Sequence, residues 1–247
     1  MLKIPKAKCH ISSLSARNVA GIIKVEACEL GNDAANELVT ACGTHIVNSR
    51  NGPYSVVSTA NDQSNPVPVS GVLEFHTDGL YCDRVPDQVL LYCENAGEHE
   101  SDTVLADTRI VVERLKRQGL LEVYRQLQMV YDFGDQQSVL IPIINDHPLT
   151  DEPIVHLGAN GYVRSQLSSE GNHCRWSFPD VVELMQQLYR LLNEATVLEH
   201  TWRTGELLMF DNHSFVHRRR DSTIDHGRKL IRIWLAADVG PGTGQRG

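Results

Sequence analysis

The run Arg228-Lys229-Leu230-Ile231-Arg232-Ile233-Trp234-Leu235 can be satisfied in few kinds of fold. Read as a β-strand, it alternates: Arg228, Leu230, Arg232 and Trp234 share one face, and Lys229, Ile231, Ile233 and Leu235 share the other. Both faces carry apolar residues, so the strand is expected to be covered on both sides. Two arginines then point into a covered face, which is costly unless each meets an anion. A planar guanidinium fork suits a carboxylate, while a salt bridge on an outer face is the plainer reading.

Strand-like runs recur at Val72 to His76, Gln88 to Cys93, Thr103 to Ala106, Val139 to Ile144, Glu206 to Phe210 and Lys229 to Ala236. Residues 31–48 read as a helix, with Ala35, Leu38, Val39, Cys42 and Ile46 at helical spacing and Asn32 or Asp33 as its cap. Ile110 to Leu127 has the same spacing but is interrupted by Gly119, which predicts two short helices. Asp180 to Ala195 is the strongest helix, with Pro179 at its start, where a missing amide hydrogen costs little. Ser55 to Pro68 is polar and turn-rich, and reads as a long loop of the kind that forms lids. Helices cluster between strands instead of alternating with them. That argues against a doubly wound sheet and for a mainly β fold with flanking helices. The jelly roll, or double-stranded β-helix shared by cupins, is the natural candidate. The 247 residues fit one domain: a helical N-terminal part over about 1–50, and a jelly-roll core over about 70–236 with a helical insert at about 178–196.

A formal net charge of -8 disfavours sequence-independent binding to nucleic-acid phosphates or anionic membranes, which need concentrated Lys and Arg. The one basic cluster, His217 to Arg220, is followed at once by Asp221 and reads as local chemistry. Six scattered cysteines without a CxxC pair suggest free thiols in a reducing cytoplasm. No apolar region follows the charged first residues, so no signal peptide is expected, and no stretch is long enough to span a bilayer. These features point to a soluble, cytoplasmic protein acting on a small molecule, with no nucleic acid or membrane partner. The oligomeric state stays open.

His76-Thr77-Asp78 supplies the first chemical signal. Spaced i, i+2 on extended backbone, His76 and Asp78 leave on one face, and Gly79 allows a tight exit from the strand. Alone, such a pair is most often a surface histidine and a turn aspartate. His217 sharpens it: it follows an apolar strand and the turn Asp211-Asn212-His213, so it can point into the mouth of a barrel. Two imidazoles and one carboxylate that can converge on a metal, leaving positions open, form the facial triad of non-haem Fe(II) oxygenases. His213 is a competing ligand among the 11 histidines. Arg228 lies 11 residues past His217, placed to hold a carboxylate-bearing cosubstrate. Arg164, in Tyr162 to Gln166, could hold a substrate carboxylate, though such an arginine more often lies on the surface.

The order HxD, then Thr103, then Phe210-Asp211-Asn212 and His217, then Arg228 and Arg232 on the last strand resembles the taurine dioxygenase-like (TauD/TfdA-type) Fe(II)/2-oxoglutarate-dependent oxygenases. The likeness covers roughly residues 70 to 236. It implies that His76, Asp78 and His217 bind Fe(II), and that Arg228 pairs with the distal carboxylate of 2-oxoglutarate with the Thr103 hydroxyl beside it. Arg232 matches a position that meets an anionic substrate group in some members and is structural in others. The family often carries Gly-Gly before the Asp-Thr region, where this chain has Glu98 to Ser101. The implied chemistry uses O2 and yields succinate and CO2 while oxidising a small metabolite, such as an amino acid, a biosynthetic intermediate or a sulfonate. With Asp78 present, hydroxylation is favoured over halogenation, and desaturation, epoxidation and ring formation stay open. Two other readings remain: a cupin-like metal enzyme without 2-oxoglutarate, which would need no buried arginine at position 228, and a non-catalytic jelly-roll binding protein.

Overall fold

The computed structural model describes residues 21–25, 28, 30–31, 33–43, 46–48, 52–58, 73–80, 82, 84–97, 102–131, 139–158, 178–220 and 227–236. In chain order the elements are β1 (Ile22–Val25), α1 (Ala34–Cys42), β2 (Ser55–Ser58), β3 (Leu73–His76), β4 (Gln88–Asn95), β5 (Asp102–Asp107), α2 (Thr108–Arg117), α3 (Leu121–Arg125) and β6 (Gln128–Tyr131). There follow β7 (Val139–Pro142), β8 (Ile144–Asp146), β9 (Pro153–Val155), α4 (Phe178–Glu194), β10 (Thr196–Thr201), β11 (Leu207–Asp211), β12 (Phe215–Arg219) and β13 (Lys229–Leu235). Two antiparallel sheets dominate, one in the order β1-β11-β4-β13-β2 and one in the order β10-β5-β12-β3.

Strand alternation sorts the apolar side chains into layers. Leu90 and Tyr92 of β4 join Ile231, Ile233 and Leu235 of β13 beneath Leu38 of α1. Their neighbours Val89, Leu91, Leu230 and Trp234 turn the other way and meet Leu105 of β5 and Phe215 of β12. Val104, Ala106 and Val216, on the far side of the four-stranded sheet, pack against α2, α3 and α4. The order is helix, sheet, sheet, helices, and β13 is covered on both sides, as its two apolar faces require. The cleft between the sheets is where polar side chains on the inner faces can meet.

The helices end where local chemistry ends them. Asp33 caps α1 by accepting from the Asn36 amide at 3.4 Å, and Gly43, at φ 56°, closes it well short of residue 48. Gly119 sits at φ 68°, a conformation that costs glycine little, and separates α2 from α3. The stripe of α4 buries Val181, Leu188, Leu191 and Leu192, with Ala195 just past its end.

Several strands depart from the expected pattern. Ser55 to Ser58 is not the start of a loop but β2, paired with β13; residues 59–68 lie outside the described set. The N-terminal part, expected as helical, also supplies the edge strand β1. Val139 to Ile144 is two strands, because the proline ending β7 has no N–H to continue the ladder. Among the described residues, no helix is long and apolar enough to cross a membrane.

Candidate metal centre

Phe75 packs toward the helices, so His76, the next residue on β3, faces the cleft. His217 does not lie in the turn past a strand, as its spacing suggested. It sits mid-strand in β12, as the Cα partner of His76, and the two rings lie 4.0 Å apart. Phe215-Val216-His217-Arg218-Arg219 is too polar to read as a strand from apolar periodicity, but β3 and β5 bond its backbone from both sides.

Asp78 is held by its backbone. Its N–H donates to Asn212 Oδ1 at 3.0 Å, and Asn212 Nδ2 donates to the carbonyls of Asp78 (3.0 Å) and Pro86 (2.8 Å). Gly79 follows at φ 68°, and a Cβ there would lie 2.6 Å from Pro86 Cδ, so the chain leaves β3 through a turn that suits glycine alone. Asp78 carboxylate oxygens lie 3.7 Å from His76 Nε2 and 3.8 Å from His217 Nε2. One ligand atom from each of the three lies within 4.8 Å of the others, and among the described residues no other group of three His, Cys, Asp or Glu converges this way.

The electrostatics suit a cation. The carbonyl of Glu74 can only accept, so His76 Nδ1 donates to it at 2.9 Å and Nε2 keeps its lone pair. Burial pushes the His76 pKa down and takes that of His217 to about 3, so both rings are neutral. Burial, the largest single influence, opposes ionisation of Asp78, but the Arg232 guanidinium, His217, His76 and the Trp234 N–H together outweigh it, and its pKa falls to about 2. Arg232 Nη1 donates to Oδ1 at 2.8 Å, Trp234 Nε1 donates to Oδ2 at 3.1 Å, and Arg232 Nε donates to Ser55 Oγ at 3.0 Å. Two neutral imidazoles and one carboxylate form a donor set that fits a divalent transition metal.

A polar rung lies one step along the same inner face. Thr103 of β5 is the Cα partner of Arg219 of β12, and its Oγ accepts from Trp202 Nε1 at 2.9 Å. Arg228 is buried just before β13; burial and then the charge of Arg219 lower its pKa to about 10, which leaves it a cation at neutral pH. Arg219 was not expected here. Its only trace in the sequence is its position two residues after His217, on the same face of one strand. Arg164 lies outside the described residues.

His213, the competing ligand, belongs to another network. Its Nε2 donates to Asp87 at 3.1 Å, and its Nδ1 lies within hydrogen-bond distance, 3.4 Å, of His156 Nε2. His147 takes an N–H from Leu149 on Nδ1 and donates from Nε2 to Asp211 at 3.3 Å. Burial takes the His156 pKa down to about 3. An unfolded chain takes up that proton near pH 6.5 while the folded one refuses it, so this part of the stability is present above pH 6.5 and is lost on acidification. The loss is about 1.4 kcal/mol per pH unit below 6.5. Thermal unfolding followed by calorimetry is expected to show a midpoint falling from pH 6.5 to 5.5 less steeply in His156→Gln than in the wild type. Equal slopes would remove His156 from the account.

A family profile described as "Taurine catabolism dioxygenase TauD, TfdA family" matches residues 16–234. Tyrosine isonitrile desaturase of Erwinia amylovora (strain CFBP1430) is 24% identical over 199 residues, which cover 74% of this chain and 66% of that protein. 3-((Z)-2-isocyanoethenyl)-1H-indole synthase of Fischerella ambigua (strain UTEX 1903) is 25% identical over 184 residues, covering 67% and 64%. The chain thus spans slightly less than two thirds of the length of these curated relatives. The structure of PvcB, described as an Fe, alpha-ketoglutarate dependent oxygenase from an isonitrile synthetic pathway, shares the fold with a TM-score of 0.69. Its identity to this chain is 19%, over 88% of this chain and 76% of that one.

Proposed function

The chain belongs to the TauD/TfdA family of taurine catabolism dioxygenases, and from that premise we propose that it is an Fe(II)- and 2-oxoglutarate-dependent oxygenase of a small metabolite. His76, Asp78 and His217 hold the iron, Arg228 and Thr103 hold the far carboxylate of 2-oxoglutarate, and the two main sheets form a double-stranded β-helix around them. The observation that carries the reading is the convergence of His76, Asp78 and His217 in the cleft that also buries Arg228. A cupin-like enzyme without 2-oxoglutarate has no use for that buried cation.

Iron, 2-oxoglutarate and O2, when bound, supply the oxidation of an unactivated C–H bond, with succinate and CO2 as co-products. The chain's own residues set the stage. The Glu74 carbonyl fixes the tautomer of His76 and so aims Nε2. Arg232 and Trp234 hold the two oxygens of Asp78, which makes Arg232 a positioning residue for the metal carboxylate. Asn212 fixes the loop that presents it. Phe210, whose ring lies 5.1 Å from that of His217, and Trp234 wall the cleft with apolar surface and exclude water.

The names of the two relatives direct the choice of substrate: an isonitrile derived from an aromatic amino acid, with desaturation as the outcome. The protein with Fe(II), ascorbate and 2-oxoglutarate is expected to release succinate in step with loss of two hydrogens from tyrosine or tryptophan isonitrile, alone or together with the substrate's carboxyl group as CO2, followed by mass spectrometry. Succinate release without desaturation would keep the cosubstrate and remove this substrate class. No succinate with any isonitrile or free amino acid would favour the non-catalytic binding protein.

A further inference from the structure

Asn212 grips Asp78 at both its N–H and its carbonyl, so any shift of the Asn212 side chain carries the metal carboxylate with it. Asp87 in turn holds Asn212, and it meets that turn twice. The Asp87 carbonyl accepts from the Asn212 N–H at 2.9 Å, and its carboxylate Oδ1 accepts from Nε2 of the next residue, His213, at 3.1 Å. The Asp87 N–H reaches a third segment, donating at 2.9 Å to the carbonyl of Leu235, which follows Trp234 on β13. That strand supplies Arg232 and Trp234, which hold the Asp78 carboxylate. Asp87 therefore joins the turn that holds the backbone of Asp78 to the strand that holds its side chain. We propose that Asp87 and His213 are positioning residues for the metal site, a lock that keeps Asp78 aimed at the point where His76 and His217 converge. This rests on the metal-binding reading given under Proposed function.

The lock supplies direction more than strength. Asp87, Asn212 and His213 are all buried, and a buried polar pair adds little net stability over apolar side chains of the same volume. Its hydrogen bond is nonetheless confined in length and angle, which fixes register in a way that apolar contact does not. The Asp211 carboxylate closes the turn from within, accepting from the N–H groups of His213 at 2.9 Å and Ser214 at 3.3 Å. His147 donates to the other Asp211 oxygen at 3.3 Å. Closed in this way, the turn moves as one body, and the His213 ring ties that body to the Asp87 carboxylate. Arg84 donates to the other Asp87 oxygen at 3.2 Å, but its side chain is 57% exposed, so water competes for that bond. Ligand distances at a bound metal hold to within about 0.2 Å, so a small slip of the turn is felt there.

The test is calorimetric titration of the full chain with Mn(II), beside thermal midpoints measured without metal. His213→Gln and His213→Asn differ by one methylene: the glutamine amide reaches about as far as Nε2 and can still donate to Asp87, whereas the asparagine amide stops near the place of Nδ1. His213→Asn is expected to weaken Mn(II) roughly 10-fold, the lower end of what losing a support of a ligand costs, and His213→Gln to stay within about threefold of the wild type. Leu188→Ala, in the core under α4, is expected to lower the thermal midpoint and leave Mn(II) affinity unchanged. If His213→Asn does not fold, Asp87→Asn decides; it keeps the shape and weakens the bond, and a loss of roughly fivefold is expected. Wild-type affinity in the deciding variant would overturn the proposal. So would an equal loss in His213→Gln or in Leu188→Ala, since the affinity would then follow something other than the bond. A wild-type chain that binds no Mn(II), or binds it equally well after His76→Ala, would sink the metal reading itself.

Discussion

Replacing Asp78 by alanine is expected to separate stability from function more sharply than any other single change. The carboxylate has two sets of partners: the candidate ligands His76 and His217, and the donors Arg232 and Trp234. Loss of the second set leaves a half-buried guanidinium without its anion and costs about 3–5 kcal/mol of folding stability. Loss of the first removes a charged metal ligand. That should exceed the roughly 10- to 100-fold drop in metal affinity typical when only a supporting partner of a ligand is removed. Mn(II) affinity should fall at least about 100-fold, and iron-dependent release of succinate should stop. The double variant Asp78→Ala with Arg232→Leu decides between the roles: it should recover most of the lost stability and none of the metal affinity. If Asp78→Ala alone bound Mn(II) like the wild type, Asp78 would be a structural anion for Arg232 and the metal assignment would fail.

The parts of this site that share one strand or one turn were legible in the sequence. His76 and Asp78 lie two residues apart, and the alternation of β13 puts Arg228, Arg232 and Trp234 on one side with no knowledge of the sheet around it. The break at Gly119 and the stripe of α4 were legible for the same reason, since each depends on local conformation and period. What joined distant segments was not. Asn212 bonds the backbone of a residue 134 positions away, and nothing in an Asp-Asn turn names its partner. Arg232 was read as meeting a substrate anion or as structural, and nothing in its spacing names Asp78, 154 positions away, to which it is bonded. Arg219, and the strand that carries His217, were hidden by a more general cause. β12 is a central strand held by ladder bonds to β5 and β3, so it can afford ionisable side chains on its inner face, and those side chains erase the apolar pattern by which a strand is recognised.

Arg228→Met should give the second largest effect, and it should fall on the cosubstrate, not on the metal. Arg228 is a cation at neutral pH, buried in the cleft, and it bears the repulsion of Arg219. The charge of Asp102 offsets that repulsion, and taking one member out of a buried charge cluster is destabilising, so the thermal midpoint of the variant without cosubstrate should fall. Binding of 2-oxoglutarate should weaken as well. A charge-assisted bond to a carboxylate is worth about 1.5–3 kcal/mol, so the apparent affinity should fall roughly 10- to 150-fold, while Mn(II) affinity stays as it was. Lysine at this position should restore only part of the loss, because an ammonium presents no fork to a planar carboxylate. Scanning calorimetry and 2-oxoglutarate titration on the same samples settle the point. A variant that lost stability and kept its 2-oxoglutarate affinity would make Arg228 a structural ion-pair partner and leave the cosubstrate without its anchor.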